Sequence, residues 1–69
     1  MDTAELDTCF TYHEPKDDQA ARYVHLRALG RNLAEEIVRC TPVSREQDLA
    51  VTRIEEAIMW ANAAIARRE

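Results

Sequence analysis

Tyr23, Arg27 and Arg31 recur at intervals of four residues, with Arg22 beside them. On an α-helix that spacing stacks three side chains into one ridge. Two guanidinium groups one turn apart repel each other unless an anion lies between them. Just upstream, Tyr12 and His13 can fold back toward the same end of such a helix. Aromatic faces beside guanidinium groups suit a nucleotide, because a base stacks for roughly 1–3 kcal/mol and arginine forks onto phosphate oxygens. The same row also fits a plain surface. Arg31 has Glu35 one turn on and Glu35 has Arg39, a salt-bridge ladder of little energetic weight. Tyr23 is equally well placed as a core aromatic.

Other chemistry lacks the residues it needs. His13 and His25 are not at metal-ligand spacing, and no HExxH, CxxC or ExxH pattern occurs, so no metal is expected. Glu35, Glu36, Glu55 and Glu56 read as solvated helix faces. Without a Gly-rich loop to cradle a phosphate, nucleotide sites of the P-loop or Rossmann type are excluded. Cys9 and Cys40 read as two ordinary thiols. No catalytic residue, enzymatic activity or cofactor is expected.

Composition limits the partners. With 46% hydrophobic and 32% charged residues, the chain is that of a folded domain, and one glycine with two prolines leaves few helix breakers. A net charge of −4 and a pI near 5.1 argue against sequence-independent binding to DNA, RNA or an anionic membrane. A small anion needs only a local cluster of cations. No run of about 18 apolar residues exists to span a membrane, and Met1-Asp2-Thr3-Ala4-Glu5 is acidic where a targeting sequence would be basic, so a cytoplasmic protein is expected.

The elements that must hold the aromatic and basic residues follow from periodicity and caps. Residues 1–9 read as a short helix with Asp2 or Thr3 as N-cap and Glu5 reaching back, and 10–14 as an extended connector before Pro15. A first long helix is expected over 15–40, led by Pro15, with Asp17 and Asp18 in its first turn. Its apolar stripe is Tyr23, Leu26, Leu29 or Gly30, Leu33, Ile37 and Cys40. Gly30 implies a close backbone neighbour, and the alanines of the last helix are the expected ones. Ser44 with Gln47 forms a capping box that opens a second long helix over 44–68. That helix carries Val51, Ile54, Ile58, Ala61 and Ile65, and ends on Arg67 and Arg68. A loop of about four residues makes the two helices antiparallel neighbours.

The expected fold is therefore all-α, a single domain over 1–69 formed by an antiparallel two-helix hairpin with a short N-terminal helix. Nine of the ten residues Ala57–Ala66 are apolar, which covers the whole circumference of a helix. A chain this small buries only about 60% of its unfolded surface, so copies of itself are expected to cover the rest in a homo-oligomeric helical bundle. Trp60 then anchors an interface, and Asn62 must meet a partner across the oligomer or a ligand.

Four segments carry a resemblance: Thr11-Tyr12-His13-x-Pro15-x-x-Asp18-Gln19, Arg22-Tyr23-x-x-Leu26-Arg27, Pro42-x-Ser44-Arg45-Glu46, and Met59-Trp60-Ala61-Asn62-Ala63-Ala64-Ile65-Ala66-Arg67. Over residues 11–69 the pattern resembles the small helical-hairpin family of phage anti-CBASS proteins, related to anti-Thoeris sponges. Residues 1–9 resemble nothing in particular.

The resemblance implies a non-enzymatic sponge acting in the cytoplasm of an infected bacterial host. Such a protein sequesters cyclic oligonucleotide signals before they reach their effector. It also implies a homohexamer, with cyclic dinucleotides such as 3′,3′-cGAMP held between protomers. Tyr12 matches the family's stacking aromatic and Arg27 stands where a basic phosphate contact is expected. His13, Pro15, Arg22, Tyr23 and Leu26 would line the same pocket. For cyclic trinucleotides, which some members take in a separate pocket on the three-fold axis, Arg53, Asn62 and Arg67 are the residues offered.

Two other readings stand beside it. One is a helical module that docks another protein on the apolar surface at 57–66. The other is a sponge for cyclic ADP-ribose isomers.

Overall fold

The computed structural model describes residues 1–69, which form three helices and no strand. Helix α1 spans Thr3–Phe10, α2 spans Gln19–Cys40 and α3 spans Arg45–Arg68. The two long helices pack along each other as a hairpin, closed at one end by the turn over 41–44 and carrying α1 at the other.

Helices α1 and α3 start where a short polar side chain accepts one of the first free amides, whereas Asp18 before α2 makes no such bond. Asp2 Oδ1 accepts from the Glu5 amide at 2.8 Å, and Ser44 Oγ accepts from the Gln47 amide at 3.1 Å. Neither cap is the reciprocal box that its residue pair suggests. The Glu5 and Gln47 side chains reach instead to the far ends of other helices. Gln47 Nε2 donates to the carbonyls of Val38 and Thr41 at 3.2 and 3.1 Å, closing the last turn of α2.

Helix α2 begins at Gln19, four residues after the proline-led start, and the connector from α1 runs over 11–18. Asp17 explains the delay. Its φ of 51° lies in the left-handed region, which a right-handed helix cannot pass through. The turn is tied by two bonds, Gln19 N to the Lys16 carbonyl at 3.0 Å and Lys16 N to Gln19 Oε1 at 3.1 Å. Gln19 then spans to α3 and donates to the Ile65 carbonyl at 3.3 Å.

The face of α2 toward α3 also differs from the expected stripe. Tyr23, Leu26, Gly30 and Ile37 turn inward, whereas Leu29, Leu33 and Cys40 are exposed. Gly30 is buried and sits against Ile54 and Ile58, not against alanines. A Cβ at Gly30 would lie 2.6 Å from Ile58 Cγ1, so the hairpin closes only because position 30 has none.

The hairpin has no hydrophobic core of its own. Its three buried residues are Gln19, Gly30 and Gln47. The radius of gyration is 15.2 Å against about 11 Å for a compact domain of this length, and the shortest dimension is 13 Å, one layer of helix. The accessible surface is 5511 Å², about 1,100 Å² above that of a typical monomer of this mass. The surplus includes Met59 and Trp60 on α3 and Leu29 and Leu33 on α2. No helix is long and apolar enough to cross a membrane.

Candidate functional site

A cleft of about 400 Å³ opens where the connector meets the hairpin. Cys9, Thr11, Tyr12 and His13 form one wall, Tyr23 and Arg27 of α2 a second, and Asn62, Ala63, Ala66 and Arg67 of α3 the third. The local causes are simple. The connector is extended after Phe10, and His13 Nε2 donates to the Thr8 carbonyl at 2.8 Å, which folds the strand-like segment back over α1. Tyr12 is left 82% exposed, its ring free to take a second flat surface. Arg27 stands one turn beyond Tyr23 on the same ridge.

The charges around the cleft are sorted. Five of the eight arginines hold a carboxylate: Arg22 with Glu69 and Asp18, Arg31 with Glu35, Arg39 with Glu36, Arg53 with Glu56, and Arg68 with Glu5. Of the three without one, Arg27, Arg45 and Arg67, two line the cleft. The chain carries 13 acids, yet none is in the lining. An acidic protein thus keeps one locally cationic, aromatic recess. The buried Oδ1 of Asn62 has no hydrogen-bond donor, which leaves an acceptor unused in the same wall.

Some sequence candidates converge here and others do not. Tyr12, His13, Tyr23 and Arg27 share the recess with Asn62 and Arg67, which the sequence had placed in a separate group. Pro15 and Leu26 are not in the lining. Arg22 is committed to Glu69, with Nη1 to Oε2 at 2.8 Å, and acts as a strut between α2 and α3. Arg53 is paired with Glu56 at 2.7 Å and lies about 13 Å along the helix axis from Asn62. Cys9 and Thr11 belong to the lining although no spacing rule marks them.

A groove of about 430 Å³ continues from the cleft between α2 and α3. Its walls are Gly30, Ala34, Val51, Ile54, Ile58 and Met59 with Arg31 and Glu55, and it shares Arg27 and Asn62 with the cleft.

Two carboxylates away from the lining have lowered pKa values, Glu69 the more clearly. Hydrogen bonds from Arg22, then Gln19, bring the Glu69 carboxyl down to about 2 from 4.5. The bond from Arg68 lowers that of Glu5 in the same sense. A depressed folded value adds stability above the unfolded value and loses it as pH falls through the folded one. The melting temperature followed by circular dichroism should therefore drop as pH falls from 4.5 to about 2. In Glu69→Gln the drop should be shallower; an equally steep one would place the acid sensitivity elsewhere.

Comparison with known families gives one result. Residues 2–66 match the family described as the Acb2/Tad1, hairpin domain, a span that takes in α1, all of α2, α3 except its last two residues, and nine of the ten cleft residues. The match therefore reaches nine residues further toward the N-terminus than the resemblance that began at Thr11. No curated protein and no solved structure matches the chain. A three-helix chain whose long helices close into a hairpin, matched by that family over almost its whole length, belongs to the Acb2/Tad1 hairpin-domain family of anti-CBASS and anti-Thoeris sponges, binding domains known for taking up cyclic oligonucleotides.

Proposed function

We propose that this protein binds and sequesters cyclic oligonucleotides without cleaving them, cyclic dinucleotides such as 3′,3′-cGAMP first and cyclic trinucleotides second. The observation that carries the reading is the carboxylate-free recess with two unpaired arginines and two tyrosines. Phosphodiesters are met by the forks of Arg27 and Arg67, bases stack on Tyr12 or Tyr23, and Asn62 Oδ1 accepts from a base N–H. The mechanism is mass action. A sponge must outbind the signal's effector, which calls for sub-micromolar to nanomolar affinity, about −8 to −12 kcal/mol.

Assembly is part of the same proposal. The surplus surface, with no buried hydrophobic residue to offset it, supports a homo-oligomer in which copies cover Leu29, Leu33, Met59 and Trp60 and place clefts at their seams. The hexamer is taken from the family resemblance, as are phage origin and action in the host cytoplasm. Exposed Met59 and Trp60 also favour a second reading, a helical module that docks another protein.

Calorimetric titration with a panel of cyclic di- and trinucleotides and cyclic ADP-ribose isomers tests the first reading. We expect a sub-micromolar dissociation constant for at least one cyclic oligonucleotide, weakened by Tyr12→Ala by about 1–3 kcal/mol. No heat with any of them at micromolar protein sinks it. Light scattering separates the second: a closed oligomer without partner counts against a docking module, and a monomer supports it.

A further inference from the structure

We propose that Glu5 and Glu69 are positioning residues for ligand binding: neither lines the cleft, yet together they set its width and hold Arg67 in place. The inference rests on the cyclic-oligonucleotide reading above and concerns how its site is built.

Two walls of the cleft belong to the packed pair α2 and α3, while the third, the end of α1 with the connector, touches that pair little. Helix α1 has eight residues, too few to persist alone, and its only hydrogen bonds to another helix are those of Glu5 with Arg68. Arg68 Nη1 donates to Glu5 Oε2 at 3.0 Å and Nη2 to Oε1, a two-pronged fork. The opposite wall is tied by Glu69. Arg22 forks onto its carboxylate, Gln19 Nε2 donates to Oε1 at 3.2 Å, and Lys16 Nζ donates to the Glu69 carbonyl at 3.0 Å. Three consecutive residues at the end of α3 therefore do three jobs. Arg67 enters the cleft, Arg68 clamps α1 and Glu69 clamps α2. Arg67, Arg68 and Glu69 lie beyond the residues that match the hairpin family, so both clamps use a segment outside the shared pattern.

Two physical effects predict opposite outcomes when a clamp is cut. A carboxylate near an anion site repels the ligand, so its removal should tighten binding. If the carboxylate fixes the geometry, its removal should weaken binding although the net charge becomes less negative.

The test is calorimetric titration of 3′,3′-cGAMP into the full chain and three variants, Glu5→Gln, Glu69→Gln and the exchange Glu5→Arg with Arg68→Glu, each with a melting curve. Each single variant should lose about tenfold in affinity or more, as for one misplaced charge-assisted hydrogen bond. The exchange keeps net charge and fork, and should recover binding to within about threefold of the parent. Folded single variants that bind as tightly as the parent, or more tightly, overturn the proposal and leave the sponge reading standing. Should the parent bind no cyclic oligonucleotide at all, it is the sponge reading that fails. The clamp is then judged by amide hydrogen exchange: α1 amides should lose protection in Glu5→Gln and regain it in the exchange, and unchanged protection overturns it.

Discussion

Replacing Arg27 and Arg67 together with alanine should weaken 3′,3′-cGAMP binding by about 10²–10⁴-fold, since each charge-assisted hydrogen bond contributes about 1.5–3 kcal/mol. Arg27 and Arg67 both line the cleft and neither is in a salt bridge, so the double replacement breaks no ion pair within the chain. Arg45→Ala is the control, because Arg45 has no carboxylate partner either but lies outside the cleft. It should leave the dissociation constant unchanged. The parent's affinity should also fall with added salt, and the slope should flatten in the double variant. Equal losses from Arg45→Ala would mean that bulk charge, and not the recess, attracts the ligand.

Gly30→Leu should abolish cooperative melting. Even a bare Cβ at this site comes within 2.6 Å of Ile58 Cγ1. Overpacking of a helix contact costs about 1–3 kcal/mol, a large share of the stability of a small domain. The milder Gly30→Ala sets two effects against each other, a helix-propensity gain of about 1 kcal/mol and the clash. At 2.6 Å the clash should win and the melting temperature should fall. Ile58→Ala removes the offending Cγ1, so the pair Gly30→Ala with Ile58→Ala should be less destabilised than the sum of the singles. Strict additivity, or a melting temperature that rises in Gly30→Ala, would show that the helices do not meet there.

How much of this was legible beforehand depends on the distance over which each feature is set. The helical hairpin, the Ser44 cap and the inward row Val51, Ile54, Ile58, Ala61 and Ile65 follow from local periodicity and appear as expected. Tyr23 and Arg27 on one ridge is a local statement too. The start of α2 was misread because Pro15 and two aspartates form a good first turn in isolation, and nothing local reveals that Asp17 adopts a positive φ. The stripe of α2 slipped toward Leu29 and Leu33 because both leucines satisfy the three-four spacing. Which side of a helix meets its neighbour is decided by the neighbour, here through the gap left at Gly30. Arg22 looked available for a ligand because its partner Glu69 stands 47 residues away. Asn62 and Arg67 joined Tyr12 and Arg27 in one recess only after the chain turned back on itself.

A last consequence lies in the side chains that leave the first turn of each helix for the end of another. Glu5 reaches Arg68, Gln19 reaches Ile65 and Glu69, and Gln47 reaches Val38 and Thr41. Such ties gauge helix length. One residue added between Gln47 and Ile65 would advance that end of α3 by about 1.5 Å and rotate it by about 100°. Gln19 would then face the wrong carbonyl while the hairpin turn stayed intact. The two long helices of this molecule tolerate no change of length that they do not make together.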